Sequence, residues 1–405
     1  SAMARPVLAS GDQPQELRSQ LFHNAEGNPF FLEEVTCALQ EEGVIEVADG
    51  QVRLGREMAG VEIPDRIQDV LMARLDRLAD GPKRAIQVAS VIGREFALRL
   101  LQRIHEAGDR VSPIVEELRA LELIYEKAAH PELAYMFKHA LTHDVAYESI
   151  LHERRRALHR IVGAAIEELY GDRLPEHFEA LAHHFGQAED WEKALLYRER
   201  AAAKAADAYA NHSASEHCRA ALAIAERLAA AGAPVAKARC RVLANALSRA
   251  STSISDFRAA GEAQLQAAEF AGSAEQRAAS LSRAAYALHW AHDYDRSRAL
   301  SEEAEALARS ENLPHEVGRA LVVRSFGVMT IKGMAAYEEA GVEQILHLTS
   351  GDGELAAFTT HHIGEAAEWR GEYQRSMDLQ QQCLAIARRE RLPDLLVMSR
   401  WFIGK

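Results

Sequence analysis

Histidine spacing is the first feature of this sequence that could support chemistry. His139 and His143 stand four residues apart, a spacing that on a helix can place two imidazoles on one metal ion. No third ligand accompanies them, and no glutamate completes an HExxH pattern. Neighbouring histidines on a helix point about 100° apart, so one member of each adjacent pair is expected to pack and the other to face water. The adjacent pairs are His183-His184 and His361-His362. We therefore predict no metal site.

The sequence also lacks residues for nucleotide turnover and for thiol chemistry. A phosphate-binding loop needs a glycine-rich turn ending in Gly-Lys-Ser/Thr, because its backbone amides and lysine bind the phosphates. Only Gly404-Lys405 comes near this pattern, without the upstream glycine or the hydroxyl. We assign no catalytic residue, no cofactor in this chain and no ATP turnover. The four cysteines form no CxxC pair, which fits a reducing cytoplasm better than a zinc ribbon or a disulfide framework.

The charge balance disfavours nucleic acid and anionic membranes as partners. The chain carries a net charge of −13, whereas phosphate surfaces are bound by clustered lysine and arginine. The run Arg154-Arg155-Arg156 lies beside Glu148 and Glu153, which favours a solvated, ion-pairing helix face. No apolar run approaches the roughly 20 residues of a membrane helix, and the start does not resemble a signal peptide. We expect a cytoplasmic chain whose partner is a protein or a small molecule.

The apolar pattern predicts a mainly α chain that contains two short β-hairpins. Helical spacing covers residues 17–40 and breaks once, at Gly27-Asn28-Pro29. Hairpins are predicted at 44–47 with 51–54 and at 123–127 with 133–138. Four helices are predicted before the second hairpin, at residues 66–78, 82–92, 97–105 and 113–121. Helices followed by a hairpin are typical of a winged helix.

The candidate recognition helix of this winged helix argues against DNA binding. It covers residues 112–122 and offers Glu116, Glu117 and Glu122 against the single Arg119. Such a face repels phosphates, so we interpret the winged helix as a packing and switching module.

The second half of the chain repeats itself at an offset of 79 residues. Trp290 recurs as Trp369, and Tyr294 recurs as Tyr373. Aromatic markers between and before them give a unit of about 40 residues, which predicts a TPR-like, right-handed α-solenoid of helical hairpins. Small residues are predicted where the two helices of a hairpin cross. These residues are Ala271, Ala308, Gly351 and Ala387.

Four segments carry a resemblance to a known class of proteins. They are Glu26–Val35, Ile63–Leu78, Phe137–Leu151 and Glu153–His159. Together they resemble the end of the ATPase module and the following region of STAND-type, AAA-like signalling ATPases. Their order is similar to that of bacterial proteins with a class III adenylate/guanylate cyclase, such an ATPase and a TPR-like solenoid. LuxR-type regulators of the MalT sort share the central and C-terminal parts.

The resemblance implies three domains and part of a nucleotide site. Residues 1–62 would be the C-terminal lid fragment of the ATPase, 63–170 a winged helix and 171–405 the solenoid. Gly27, Asn28 and Pro29 resemble the lid motif that lies against adenine, although a helix-start turn needs the same residues. His139 matches a sensor histidine that reaches the β-phosphate of ADP, although a hydrogen-bonded strand-to-helix histidine is an equal alternative. ATP or ADP and Mg²⁺ are implied only for the parent protein. Residues 1–3 look like a tag remnant, and the last helix looks truncated.

Three functions compete on these grounds. The first is a non-catalytic sensor that couples a protein or small effector on the solenoid, through contact with an ATPase core, to an N-terminal cyclase. The second is the inducer-sensing region of a LuxR/MalT-type transcription regulator, and the third is a self-associating scaffold, a homo-oligomer. Five aromatic residues mark the candidate partner face, although core packing is expected for most of them. They are Tyr286, Trp290, Tyr294, Trp369 and Tyr373.

Overall fold

The structure, a computed structural model, describes residues 34–36, 39, 45–48, 51–54, 66–129, 132–333, 337, 345–349 and 353–404. The chain divides into two compact units, Ser1–Asp190 and Trp191–Lys405. None of the helices among the described residues combines the length and the apolar composition that a membrane span requires. The expectation of a mainly α fold with helical repeats is confirmed.

The first unit combines seven helices and five strands among its described residues. The strands are β1 (Ile45–Ala48), β2 (Gln51–Leu54), β3 (Glu95–Ala97), β4 (Ile124–Ala128) and β5 (Ala134–Phe137). The helices are α1 (Ile67–Asp76), α2 (Asp80–Ile92), α3 (Leu98–Ile104), α4 (Val111–Ala120), α5 (Ala140–Glu148), α6 (His152–Leu169) and α7 (Phe178–Gln187). Both predicted hairpins form, as antiparallel pairs of β1 with β2 and of β4 with β5.

A third strand that the sequence pattern did not predict completes the second sheet. β3 has only three residues and pairs antiparallel with β5, so the strand order is β3-β5-β4. Phe96 of β3 packs against Tyr135 and Phe137 of β5, with each pair of ring centroids 6.0 Å apart. Three residues are too few to show an alternating pattern, but the buried Phe96 alone is enough to anchor this edge strand.

A buried ion pair fastens the early part of the chain to α1. Arg74 donates to the Glu34 carboxylate at 2.7 Å and to the carbonyl oxygen of Leu121 at 2.6 Å. Glu34 and Arg74 are 3% and 4% exposed. A buried charge is stable only when it is paired, so loss of either partner would strongly destabilise this contact.

The second unit is a succession of antiparallel helices. The helices are α8 (Trp191–Asp207), α9 (Asn211–Ala230), α10 (Pro234–Ser253), α11 (Phe257–Glu269), α12 (Ala274–Trp290), α13 (Tyr294–Ser310), α14 (Pro314–Lys332), α15 (Ile345–Thr349), α16 (Gly353–Trp369), α17 (Tyr373–Glu390) and α18 (Pro393–Ile403). Helices adjacent in sequence pack on each other, which is the arrangement of stacked hairpins.

The 79-residue offset is visible in the helix ends and in the turns between helices. α12 and α16 end at Trp290 and Trp369, and α13 and α17 begin at Tyr294 and Tyr373. The turns share a left-handed residue at the same offset, His292 (φ +62°) and Gly371 (φ +78°). The offset therefore describes a pair of hairpins whose backbone hydrogen bonds also repeat.

Small residues bring the helices of the second unit together. Ala308 and Ala387 are fully buried and pack against Ala278 and Ala357 respectively, which are again 79 residues apart. The predictions for Ala308 and Ala387 are confirmed. Ala271 instead lies just beyond the end of α11 and is half-buried, whereas Gly351 falls outside the described residues. Gly261 provides a close crossing that was not predicted, because a Cβ there would lie 2.8 Å from Leu288.

Candidate functional site

Six ring-bearing side chains from three helices meet in the second unit, and we call them the aromatic cluster. They are Tyr286, His289 and Trp290 of α12, Phe326 of α14, and Phe358 and His362 of α16. His289 and Trp290 follow Tyr286 by three and four residues, and His362 follows Phe358 by four, so the residues of each helix lie towards one face. α12, α14 and α16 are successive members of the stack of helical hairpins, which places the cluster across successive repeats.

Phe326 is at the centre of the aromatic cluster. Its ring centroid lies 4.6 Å from that of His362, 4.8 Å from that of His289 and 5.6 Å from that of Trp290. Phe326 is 4% exposed, whereas 37% of Trp290 is exposed. Tyr286 contacts Phe358 edge to face at 4.8 Å. The cluster thus has a buried aromatic floor at Phe326 and a solvent-accessible edge at Trp290. Such a surface suits an apolar or planar group.

Two buried imidazoles give this cluster its polarity. Burial, followed by the nearby His362 and His292, lowers the pKa of His289, so His289 is neutral at pH 7. His362 is 3% exposed, and neither ring nitrogen has a hydrogen-bond partner among the described residues, although Nδ1 lies 3.4 Å from a carboxylate oxygen of Glu365. A buried polar atom without a hydrogen bond raises the free energy of the folded state, so His362 lowers the stability of this arrangement of helices.

Ion pairs connect the helices beside the aromatic cluster. Arg283 of α12 reaches Glu354 of α16 at 3.3 Å, one turn before Tyr286 and Phe358 respectively. Arg324 of α14 pairs with Glu305 of α13. The side chains of Arg283 and Glu354 are exposed, so their pair contributes little to stability. Glu305 is buried, so its carboxylate depends on an arginine partner for charge compensation.

The predicted partner face is only partly assembled around this cluster. Tyr286 and Trp290 belong to it, and Tyr294 lies against His289 with ring centroids 5.1 Å apart. Trp369 and Tyr373 are each 70% exposed, so the expected packing of these two side chains in the core is wrong. The sequence explains why Trp369 is more exposed than Trp290.

Trp290 is covered by Phe257 and Phe326, with ring centroids 6.1 and 5.6 Å away. The positions 79 residues after these two phenylalanines hold Ala336 and Lys405, which provide no ring. Without the aromatic partners, the second tryptophan of the repeat has less apolar surface to bury.

The adjacent histidine pairs behave differently from each other. His183 is exposed and His184 is buried, as predicted. His361 and His362 are both buried, which corrects the expectation that one of them faces water. His361 shares a 2.9 Å hydrogen bond with Gln380, and burial lowers its pKa to about 4. The four-residue spacing of Phe358 and His362 was the signal in the sequence that could have revealed this second role.

The residues assigned to nucleotide binding are only partly described. Gly27, Asn28 and Pro29 lie outside the described residues. His139 is the residue before α5, with extended backbone (φ −129°, ψ 142°), and is half-buried. His143 directs Nε2 to the carbonyl oxygen of Ser90 at 3.0 Å and Nδ1 to Asp144 at 2.9 Å. Both nitrogens of His143 are therefore engaged, which disfavours a metal site shared by His139 and His143.

Comparisons with known proteins find one family model and several solved structures. The family model DUF8739, a domain of unknown function, matches residues 8–53. A search of curated proteins finds no match to this chain. A solved STAND protein (Signal Transduction ATPase with Numerous Domains) with a tetratricopeptide repeat sensor, from Pyrococcus horikoshii, is 12% identical, with a TM-score of 0.38. The match covers 99% of this chain and 55% of that protein, so the chain spans about half its length.

Two further solved structures resemble part of the chain. BtubC from P. vanneervenii is 16% identical with a TM-score of 0.36, over 48% of this chain and 82% of that one. A Podospora anserina protein with nearly identical TPR-like repeats is 18% identical with a TM-score of 0.35, over 49% and 97%.

Proposed function

We propose that this chain is the non-catalytic sensor part of a STAND-type signalling ATPase. In this proposal a protein or small effector binds the aromatic cluster, and the first unit transmits the change to an ATPase core and to an N-terminal adenylate/guanylate cyclase. The observation that carries the proposal is the cluster itself. It joins three successive repeats around a buried His362 whose ring nitrogens have no hydrogen-bond partner among the described residues.

Binding at such a cluster has a direct mechanical consequence. A ligand that contacts α12, α14 and α16 together stabilises the one relative arrangement of these helices that fits it. A ligand shifts an equilibrium only by its difference in affinity for the two states, and contacts spread over several repeats supply that difference.

The geometry of the first unit supports a switching role. The strand order β3-β5-β4, with α4 before the β4-β5 hairpin, is typical of a winged helix. Glu34 and Arg74 belong to two of the segments that resemble STAND ATPases, and they form the buried ion pair described above. A charge pair of this kind holds a lid segment against a winged helix only while both partners stay in place.

The same unit offers a poor surface for DNA. α4 presents exposed Glu116 and Glu117, and the guanidinium of Arg119 is bound by the Glu116 carboxylate at 2.7 Å. This arrangement supports a protein-facing role over a DNA-reading role for this chain.

Matched variants in the parent protein test the sensor proposal. Trp290→Phe keeps a ring against Phe326 but changes the exposed edge, so we expect a changed basal rate of ATP hydrolysis and cyclic-nucleotide formation. Trp369→Phe, the repeat equivalent outside the cluster, should leave both rates unchanged. Equal rates for both variants and the wild type would contradict the proposal. A helix-turn-helix after this region, in place of a cyclase before it, would favour the transcription-regulator alternative.

The isolated chain provides a second test. We expect no ATP hydrolysis and no calorimetric signal with micromolar ADP, because the phosphate-binding loop is not in this sequence. Micromolar ADP binding would refute the expected weak affinity for nucleotide, and ATP hydrolysis would refute the assignment of the chain as a non-catalytic part.

Self-association is the second candidate function, and a specific observation favours it. Trp369, Tyr373, Val397 and Trp401 are large apolar side chains that are 58–70% exposed. Apolar groups that are exposed side by side are typical of interfaces, and Val397 and Trp401 stand four residues apart on one face of α18. Light scattering over a concentration series should show a dimer that Trp401→Ser weakens, and a monomer at high concentration would reject the scaffold.

A further inference from the structure

Three histidines of the first unit come together, although His159 is distant in sequence from the adjacent pair His183-His184. His159 lies on α6, and His183 and His184 lie on α7, with one nitrogen from each ring within 4.8 Å of the other two. We propose that this histidine triad binds one divalent transition-metal ion of the zinc class. Three imidazoles on a pair of packed helices form a donor set that such ions prefer.

The separation of the two buried rings fits a shared ion after a small adjustment. The Nδ1 atoms of His159 and His184 are 2.9 Å apart. Two nitrogens bound to one zinc at about 2.1 Å with a tetrahedral angle stand about 3.4 Å apart. A rotation of each ring that moves its nitrogen by a few tenths of an ångström therefore suffices.

Close helix packing keeps the triad together. A Cβ on Gly163 of α6 would lie 2.8 Å from the ring of Phe185, the residue after His184. Gly163 stands one turn after His159, so this contact fixes the distance between the two helices at the triad. Ligands held on rigid helices lose little freedom when they bind an ion.

A hydrogen bond with α5, the helix before α6 in sequence, sets the orientation of His159. Its Nε2 lies 2.9 Å from the hydroxyl oxygen of Tyr147 on α5. If Nε2–H donates to this oxygen, the lone pair of Nδ1 faces the triad, and a metal-binding histidine commonly has its other nitrogen held in this way. The Arg155 guanidinium lies over the Tyr147 ring at 4.4 Å and restrains it.

Burial leaves the two inner histidines ready to coordinate. Burial, with smaller contributions from neighbouring charges, lowers the pKa of His159 to about 4 and that of His184 to about 3. Both rings are therefore neutral at pH 7, so coordination releases no proton overall. The Nδ1–H proton between His159 and His184 must, however, move to the other nitrogen of its ring before both Nδ1 atoms bind the ion. His183 is exposed, so the ion can enter from solvent and keep water as a fourth ligand. The positive charge of Arg155 opposes the ion and lowers its affinity.

The competing explanation is a buried histidine pair that needs no metal. In that case one Nδ1–H of the pair donates to the other Nδ1, and His183 is an ordinary surface residue. The two explanations differ in the importance of His183, because only coordination requires it.

Cobalt and zinc titrations of the chelator-treated, untagged chain distinguish the two explanations. We expect one Co²⁺ per chain, with visible absorption bands that one equivalent of Zn²⁺ abolishes. His183→Ala should weaken Zn²⁺ binding at least tenfold without changing the metal-free melting temperature. His152→Ala, which removes an exposed histidine of α6 outside the triad, should bind Zn²⁺ like the wild type.

Two results would overturn the metal site. One is the absence of Co²⁺ or Zn²⁺ binding to the folded wild type. The other is equal Zn²⁺ affinity in the wild type and in His183→Ala. Zinc should also raise the melting temperature of the wild type and of His152→Ala but not that of His183→Ala, because an ion that binds only the folded state stabilises it.

Discussion

Trp290 and Trp369 occupy equivalent places in the repeat, which makes them a matched pair for mutation. Each is the last residue of its helix, so substitution by alanine removes a side chain at the same backbone position in both cases. Trp290 is 37% exposed and Trp369 is 70% exposed. We predict that Trp290→Ala destabilises the chain substantially more than Trp369→Ala.

The size of the difference follows from the buried surface. A buried aromatic side chain removes up to about 250 Å² from water, so one third of a tryptophan corresponds to roughly 80 Å². At about 25 cal/mol per Å² this area amounts to about 2 kcal/mol. We expect Trp290→Ala to lower the free energy of unfolding by about 3 kcal/mol and Trp369→Ala by about 1 kcal/mol. The difference between the two is more secure than either value, because the unfolded-state reference largely cancels.

Urea unfolding followed by far-ultraviolet circular dichroism measures this difference. Helical repeats can unfold in stages, so the comparison requires that the slope of the transition be the same for both variants. Hydrogen exchange should show faster opening of α12 and α14 in Trp290→Ala only. Equal destabilisation by the two substitutions, or a larger effect at Trp369, would refute the argument from burial and ring contacts.

Three further predictions concern packing, pH and a turn. Gly163→Ala should lower stability by about 1–3 kcal/mol in urea unfolding, because its Cβ would meet the Phe185 ring at 2.8 Å. A fall from pH 7 to pH 5 should lower the free energy of unfolding by about 2 kcal/mol through His184. The pKa of this buried, neutral imidazole is about 3, below the unfolded value, so only the unfolded chain takes up the proton. In His184→Gln the urea midpoint should depend less on pH than in the wild type. Gly371 and His292 both have left-handed backbone, which favours glycine. In thermal unfolding, Gly371→Ala should therefore lower the free energy of unfolding by about 1 kcal/mol, and His292→Gly should raise it by a similar amount.

Each of these predictions has a contradicting outcome. An unchanged urea midpoint for Gly163→Ala would mean that α6 and α7 separate easily, and Gly171→Ala, with no atom near its Cβ, is the control. A wild-type midpoint independent of pH would show that the buried imidazole is protonated in the folded state. A gain in stability for Gly371→Ala, or a loss for His292→Gly, would show that the left-handed turns are not retained.

The elements of this fold could be predicted from periodicity because the signals are local. Hairpin turns, proline-started helices and the 79-residue offset all depend on residues close in sequence or repeated at one distance. The side chains that meet across helices could not be predicted in the same way. His159 and His184 are 25 residues apart, and nothing in their local sequence indicates that α6 and α7 pack at that point.

Burial was the least predictable property of the candidate site. Repetition predicted the same environment for Trp290 and Trp369, but exposure depends on the residues of the next helices. Phe326 covers the first tryptophan, and the position equivalent to Phe326 holds a lysine. A repeat thus predicts backbone position well and side-chain environment only when the neighbouring repeats carry the same residues.

The shared turn geometry at His292 and Gly371 makes the pair of hairpins an interchangeable module. Excision of residues 294–372 would connect Asp293 directly to Tyr373, the counterpart of Tyr294. α12 would then pack against α17 through buried alanines, as it now packs against α13. Whole-block duplication or loss can therefore lengthen or shorten this chain during evolution without creating a new junction.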